Sequence, residues 1–400
     1  MEGAVNRDLK GVALAGGGPI GGIYEVGALA ALDEALVGLD LTGCDIFVGV
    51  SSGAFVAAGL ANGITPRDMH RKFIESEEAD DPFEPEILLQ PAFQEFGRRL
   101  ASLPGLLALA MQSYLNGAPP HGFAESLQQL GRALPAGMFD NEAVGAYLAR
   151  LFSAQGRVND FRRLPNKLFI VATDLDSCSA TPFGARGLDD VPISRAVQAS
   201  SALPGLYPPV EINGRHYVDG ALMKTLHASV ALAEGAKLLI CVNPLTPIDA
   251  DAVARKTHRS RVSLAARGLP SVMSQTFRAL IHSRMRVGME RYSKTYPDAD
   301  VILFEPARDD AEMFFTNVFS YSSRHRLAEH AYQRTREELR RRADELDVVL
   351  ARHGVSLDRA CLADESRTLS RRRRAPRRAG LKQAASQLGN ALDTLERALR

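Results

Sequence analysis

Two side chains carry most of the chemistry that this sequence offers. Ser51 lies in Gly49-Val50-Ser51-Ser52-Gly53, a G-x-S-x-G run joining an apolar segment at 46–50 to a small-residue segment at 54–62. A serine on a sharp strand-to-helix turn is crowded by its own backbone, so such an elbow needs glycines on both flanks. The turn lifts the hydroxyl clear of a sheet and aims it at a helix N-terminus. Asp219 follows the short segment 215–218 and precedes Gly220 and Ala221, so its carboxylate leaves a turn in a fixed direction. A carboxylate within reach of a serine hydroxyl, in a site dry enough to raise its pKa, can act as the general base. Attack on an acyl carbonyl also needs donors for the oxyanion. Gly16, Gly17 and Gly18, with Gly21 near the end of the run, offer backbone with no Cβ in the way. The N–H of Ser52, the residue after the nucleophile, is a further donor.

These motifs need elements to hold them. Residues 11–15, 46–50, 168–173, 238–242 and 301–304 read as short buried strands, and 210–218 as a hairpin. Residues 23–36, 54–62 and 194–200 carry helical spacing. Strands alternating with helices predict an α/β fold with a mostly parallel central sheet covered on both faces. Residues 323–353 are expected to form one long helix, with Gly354 as its stop. The expected organisation is a hydrolase domain over 8–354, a basic linker over 355–380 and a C-terminal amphipathic helix over 381–400.

Taken in order, the glycine loop, the elbow at Gly49 to Gly53 and the turn Asp219-Gly220-Ala221 resemble the patatin-like phospholipase family. Flanking text is similar too: Ala172-Thr173-Asp174-Leu175, Ala199-Ser200-Ser201-Ala202-Leu203-Pro204-Gly205 and Val242-Asn243-Pro244. The resemblance covers roughly residues 10–245. It implies a three-layer α/β/α patatin-like fold and a Ser-Asp dyad without histidine, with Ser51 as nucleophile and Asp219 as base. The region of Gly16, Gly17 and Gly18 would hold the oxyanion. It also implies a phospholipase A or lysophospholipase-like acyl hydrolase working through an acyl-enzyme, with a lipid or acyl-ester substrate and neither cofactor nor metal. Many members carry Arg or Lys within the loop, where Pro19 and Ile20 stand here. That departure bears on headgroup contacts more than on the hydrolytic step.

Three other readings compete. The loop also spells G-x-G-x-x-G after a strand, with Asp40 19 residues past Gly21. That is the pattern of a dinucleotide-binding oxidoreductase, but it leaves the G-x-S-x-G run unexplained. A Ser-His-acid triad would draw on His216 or His227, which flank Asp219. A non-catalytic membrane-associated scaffold of the same fold would keep the motifs without turnover. Asp174 and Asp176 are candidate second acids, with loop hydrogen bonding as their plainer role.

Composition narrows the classes. Lys and Arg total 48 against 47 Asp and Glu, so no overall field selects a nucleic acid. Four widely spaced cysteines, Cys44, Cys178, Cys241 and Cys361, argue against a zinc site or a disulfide framework, and a reducing, cytoplasmic setting is expected. No signal peptide and no transmembrane helix are expected. Peripheral membrane contact is a separate matter. Residues 252–294 hold ten basic residues and one acidic, interspersed with apolar ones. Arg371 to Arg374, Arg377 and Arg378 form a basic run ahead of the helical spacing at 381–400, and residues 371–400 are a second candidate for lipid contact. No aromatic residues interleave with these arginines, which disfavours nucleic acid. An apolar lip for a lipid cleft is expected at 103–115 and 87–96. The sequence leaves the oligomeric state open.

Overall fold

The computed structural model describes residues 8–75, 87–88, 136–257, 263–315 and 323–370. The candidate lip at 103–115, most of 87–96, and the basic run and helix of residues 371–400 lie outside them.

Eight strands form one sheet: β1 (Leu9–Leu14), β2 (Ile46–Gly49), β3 (Lys167–Asp174), β4 (Ser179–Phe183), β5 (Val210–Ile212), β6 (Arg215–Val218), β7 (Ala236–Val242) and β8 (Asp300–Phe304). Their order is β5-β6-β3-β2-β1-β7-β8, with β4 also paired to β3. The pairs β2–β1, β3–β2, β1–β7 and β7–β8 are parallel. The pairs that β3 makes with β4 and β6, and the β5–β6 hairpin, are antiparallel. The sheet is thus mostly parallel, as its uninterrupted apolar strands require.

Both faces are buried, and the period of two along each strand sorts the side chains. Val12 and Leu14 join one apolar cluster, and Ala13 and Ala15 the other. Phe47 splits from Ile46 and Val48 in the same way, as does Ile240 from Leu239 and Cys241. The first face is covered by α1 (Gly18–Ala35), α2 (Ser52–Ala61) and the helix Arg324–Arg341. A Cβ at Gly27 of α1 would collide with the Ala328 carbonyl, so these two helices cross at close range. The second face takes the helix Ala228–Ala233 and Tyr292 from the long helix Leu269–Thr295. The result is the three-layer α/β/α arrangement.

Two expected boundaries move. The first helix starts at Gly18, not near residue 23, because Pro19 suits a first turn and tertiary packing tolerates the glycines there. The expected single helix over 323–353 breaks into Arg324–Arg341 and Ala343–Ala351. At the break, Arg342 leaves helical geometry, and its guanidinium bonds the Leu303 carbonyl at 3.1 Å and the carboxylates of Glu338 and Glu345.

Candidate active site

Register sets the site. Leu14 is aligned with Gly49 on one side and with Val242 on the other, so the chain leaves β1, β2 and β7 at the same sheet edge. Ligand crevices in open α/β sheets lie at this carboxyl edge. After β2 the chain turns at Ser51, whose φ of 53° is rare for a residue with a side chain. Holding such a residue costs about 1–3 kcal/mol, which the surroundings must offset. Gly49 and Gly53 permit the turn, since a Cβ at Gly49 would stand 2.5 Å from the Gly53 carbonyl oxygen. The Ser51 N–H donates to Ser200 Oγ at 2.9 Å, and Ser200 Oγ in turn donates to the Val171 carbonyl at 2.6 Å. Ser200 thereby ties the elbow to β3.

Asp219 reaches the same place from the opposite direction. The β5–β6 hairpin turns on Asn213 and Gly214, both with positive φ, as a tight two-residue hairpin requires. Val218 pairs with Thr173 of β3, and the chain then swings across the sheet edge. Gly220 sits so tightly against β3 that a Cβ there would overlap the Val171 carbonyl. Asp219 donates its N–H to the Ala202 carbonyl at 3.0 Å, and its own carbonyl accepts from Thr173 Oγ1 at 3.0 Å. Its carboxylate accepts the Ala221 N–H at 2.8 Å, and the Ser51 hydroxyl lies near enough to favour its charged form. Burial pushes its pKa up to about 6, with the Ala221 amide and Ser51 pulling the other way.

The glycine loop completes the crevice. A Cβ at Gly16 would lie 3.0 Å from Ser51 Cβ and 3.2 Å from Ala221 Cβ, so Gly16 packs against both motifs. Its N–H is engaged by the Thr225 carbonyl at 3.3 Å. The N–H groups of Gly17, Gly18 and Ser52 donate no hydrogen bond among the described residues. Gly17 precedes α1 and Ser51 precedes α2, and neither helix carries a side-chain cap or an acidic residue in its first turn. The first turns of both helices pack together, with Gly21 and Gly22 against Ser52. Two uncapped positive helix ends therefore meet beside the Ser51 hydroxyl.

The crevice opens into a cavity of about 1480 Å³ that Ser51 and Asp219 line together with Phe55, Leu148, Leu203 and Met289. This exceeds the range of roughly 300–1,000 Å³ usual for small-molecule clefts.

Other candidates sit elsewhere. His227 is buried and turned to the Gly220 carbonyl at 3.5 Å, and burial pulls its pKa down to about 4, so it supports the turn as a neutral ring. His216 is half-exposed beside Asp176. Asp174 caps the loop at Asp176 and Ser177 and bonds Arg215. Asp40 precedes β2, so it lies at the opposite sheet edge from the glycine loop, where it bonds Thr42. A dinucleotide acid would have to stand beside the loop, and the oxidoreductase reading fails on that placement. Among the described residues no cluster of His, Cys, Asp and Glu is arranged to hold a metal ion.

Three residues to which the sequence assigned no individual role lie on the elements that build the site. Ser200 is the first. Glu25 on α1 is the second: it is fully buried with both carboxyl oxygens unpartnered, and burial raises its pKa well above the usual carboxylate value. The buried Ser52 Oγ, one helical turn away beside Gly21 and Gly22, is unpartnered too. The third is Arg278, in the cavity wall.

A mostly parallel α/β/α sandwich, with a serine elbow facing an apolar cavity at its carboxyl edge, is an arrangement suited to hydrolysis of apolar acyl esters. The chain belongs to the patatin-like phospholipase family, whose model matches residues 12–232. No curated protein sequence matches the chain. Among solved structures it is similar to VipD from Legionella pneumophila, at 15% identity and a TM-score of 0.37, covering 84% of this chain and 67% of that one. It is also similar to the type III effector protein ExoU, at 16% identity and a TM-score of 0.35, covering 84% of this chain and 53% of that one. A further similar structure holds ExoU with SpcU from Pseudomonas aeruginosa, at 16% identity and a TM-score of 0.25, covering 72% of this chain and 53% of that one. Among the described residues no helix is long and apolar enough to cross a membrane.

Proposed function

We propose that the chain cleaves carboxylic esters of lipids through a Ser-Asp dyad and an acyl-enzyme. Asp219 takes the proton as Ser51 Oγ attacks the ester carbonyl. The N–H groups of Gly17, Gly18 and Ser52 hold the oxyanion, while Gly16 keeps the loop seated against Ser51. One such donor is worth about 3–4 kcal/mol in an enzyme of this kind. The leaving alcohol takes the proton from Asp219, which then activates water to hydrolyse the acyl-enzyme. The observation that carries this reading is the placing of Ser51 and a buried Asp219 on one cavity, with the Asp219 pKa raised by burial to about 6 and the Ser51 hydroxyl near enough to favour its charged form.

The same reading gives the long helix Leu269–Thr295 a place at the lipid surface. It presents Leu269, Val272, Met273, Phe277, Leu280 and Val287 exposed, next to basic residues at the cavity mouth. Peripheral contact through residues 252–294 and 371–400 follows from that arrangement and from the basic run.

The test is mass-spectrometric mapping of an alkyl phosphonate adduct together with turnover of a panel of lipid esters. The adduct is expected on Ser51, and Ser51→Ala and Asp219→Asn should each lose hydrolysis while keeping the folded circular dichroism spectrum. Full activity in either variant removes the mechanism.

A further inference from the structure

The cavity has a charge character that the whole chain lacks. The sequence is nearly neutral, at a formal +1. Yet the described charged residues lining the cavity are five cations, Lys224, Arg278, Arg284, Arg291 and Arg324, and one acid, Asp219. That acid is the base of the proposed dyad, and among the described residues no ion pair joins it to any of the five.

Arg278 differs from the others. Lys224, Arg284 and Arg291 are exposed at the mouth, and Arg324 bonds the Ile74 carbonyl. Arg278 is only 7% exposed, although it comes from the helix that flanks the opening. Its Nη1 donates to the Thr246 carbonyl at 3.2 Å, and its guanidinium stacks on Phe314 at 5.3 Å. Among the described residues it has no carboxylate partner. Burial lowers its pKa only to about 10, so it stays charged at neutral pH. A guanidinium has five N–H donors in a planar fork, and one bond to a carbonyl leaves most of them unused. A charge taken out of water without a counter-charge is costly, and buried cations are ordinarily paired. Here the open side of the charge is the cavity that also holds Ser51.

We infer that Arg278 is the anion-binding anchor of the cavity, the residue whose fork receives the phosphate of an ester held at Ser51 and so distinguishes a phosphate-bearing ester from a neutral one. Lys224, Arg284 and Arg291 at the mouth add the attraction that draws such an ester inward. This rests on the acyl-hydrolase reading above and adds to it a charge requirement and the residue that imposes it. Arg suits the task because its fork matches two phosphate oxygens at once.

The experiment uses the full chain and two monomeric esters below their micelle concentration, dihexanoyl phosphatidic acid and dihexanoylglycerol, so that surface binding plays no part. Wild-type kcat/KM should favour the phosphate ester by about tenfold or more. Arg278→Ala should raise KM for that ester by about 10- to 100-fold and leave dihexanoylglycerol within about twofold. Arg278→Lys should recover part of the loss. Equal kcat/KM for the two esters, or an equal loss on both in Arg278→Ala, overturns the inference. Calorimetric binding to Ser51→Ala protein gives a readout free of turnover and of any change at Arg278. Tighter binding of the phosphate ester is expected there, and indifference to the phosphate again sinks the proposal. If Ser51→Ala protein binds the phosphate ester preferentially while wild type hydrolyses neither, the anion site stands and the hydrolase reading falls. Inorganic phosphate is the last arm. Competition by phosphate alone as strong as by the phosphate ester would mean a free-phosphate site and would overturn the headgroup assignment.

Discussion

The N–H of Ser51 donates to the hydroxyl of Ser200, 149 residues away, at 2.9 Å. Ser200 is fully buried, and its own hydroxyl donates to the Val171 carbonyl. The strained turn at Ser51 is therefore held by a side chain from another helix as well as by its own glycines. Ser200→Ala leaves that N–H without a partner in a dry place, which costs about 1–3 kcal/mol. The expected outcome is lower stability in urea unfolding and a fall in kcat larger than the change in KM. Unchanged stability and kcat would show that the glycines suffice.

In the proposed mechanism Asp219 sets the pH dependence. Its folded pKa is raised to about 6, chiefly by burial, and only the deprotonated carboxylate can take the Ser51 proton. The kcat/KM for a neutral soluble ester is expected to rise about tenfold per pH unit on the acid side and to level off above about 6. A titration midpoint near the ordinary carboxylate value would contradict the buried geometry.

Glu25 is expected to make the fold less stable as pH rises. Its pKa in the fold is raised by burial, so between the unfolded and folded pKa values the native state holds a proton that the unfolded chain has lost. Stability then falls with increasing pH through that window. Glu25→Gln removes the titration. Its Tm advantage over wild type should therefore be larger at pH 8 than at pH 5, as read by scanning calorimetry. A constant difference at both pH values would mean that the carboxyl finds a partner in solution.

Gly220 is a steric requirement in the Asp219 turn. A Cβ there overlaps the Val171 carbonyl of β3, which is backbone held in the sheet, and comes within 3.1 Å of the Val50 side chain. Gly220→Ala is expected to cost about 1–3 kcal/mol and to lower Tm. It should also depress kcat by shifting Asp219 away from Ser51. A variant with wild-type Tm and kcat would show that β3 can give way.

Much of the fold was legible in local pattern. The buried strands at 11–15, 46–50, 168–173 and 238–242 stand close to where their apolar runs put them, because a strand buried on both faces has to be apolar throughout. The boundaries were less legible. Gly18 begins a helix against its intrinsic propensity, and Arg342 breaks one through bonds to Leu303, Glu338 and Glu345, none of which periodicity encodes.

The sequence by itself determined that Ser51 would sit on a strand-to-helix elbow and that a glycine loop would follow β1, since both depend on neighbours within a few residues. The order of the motifs already favoured Asp219 as the acid for the serine, and the tertiary structure supplies the physical reason. Asp174 and Asp219 are both aspartates at strand ends, but an antiparallel hairpin brings one to the cavity that Ser51 lines and leaves the other capping a loop. The raised pKa of Asp219, the grip of Ser200 and the solitary charge of Arg278 are likewise long-range. Each depends on burial and on partners brought together by the sheet, and those quantities do not exist until the chain has folded.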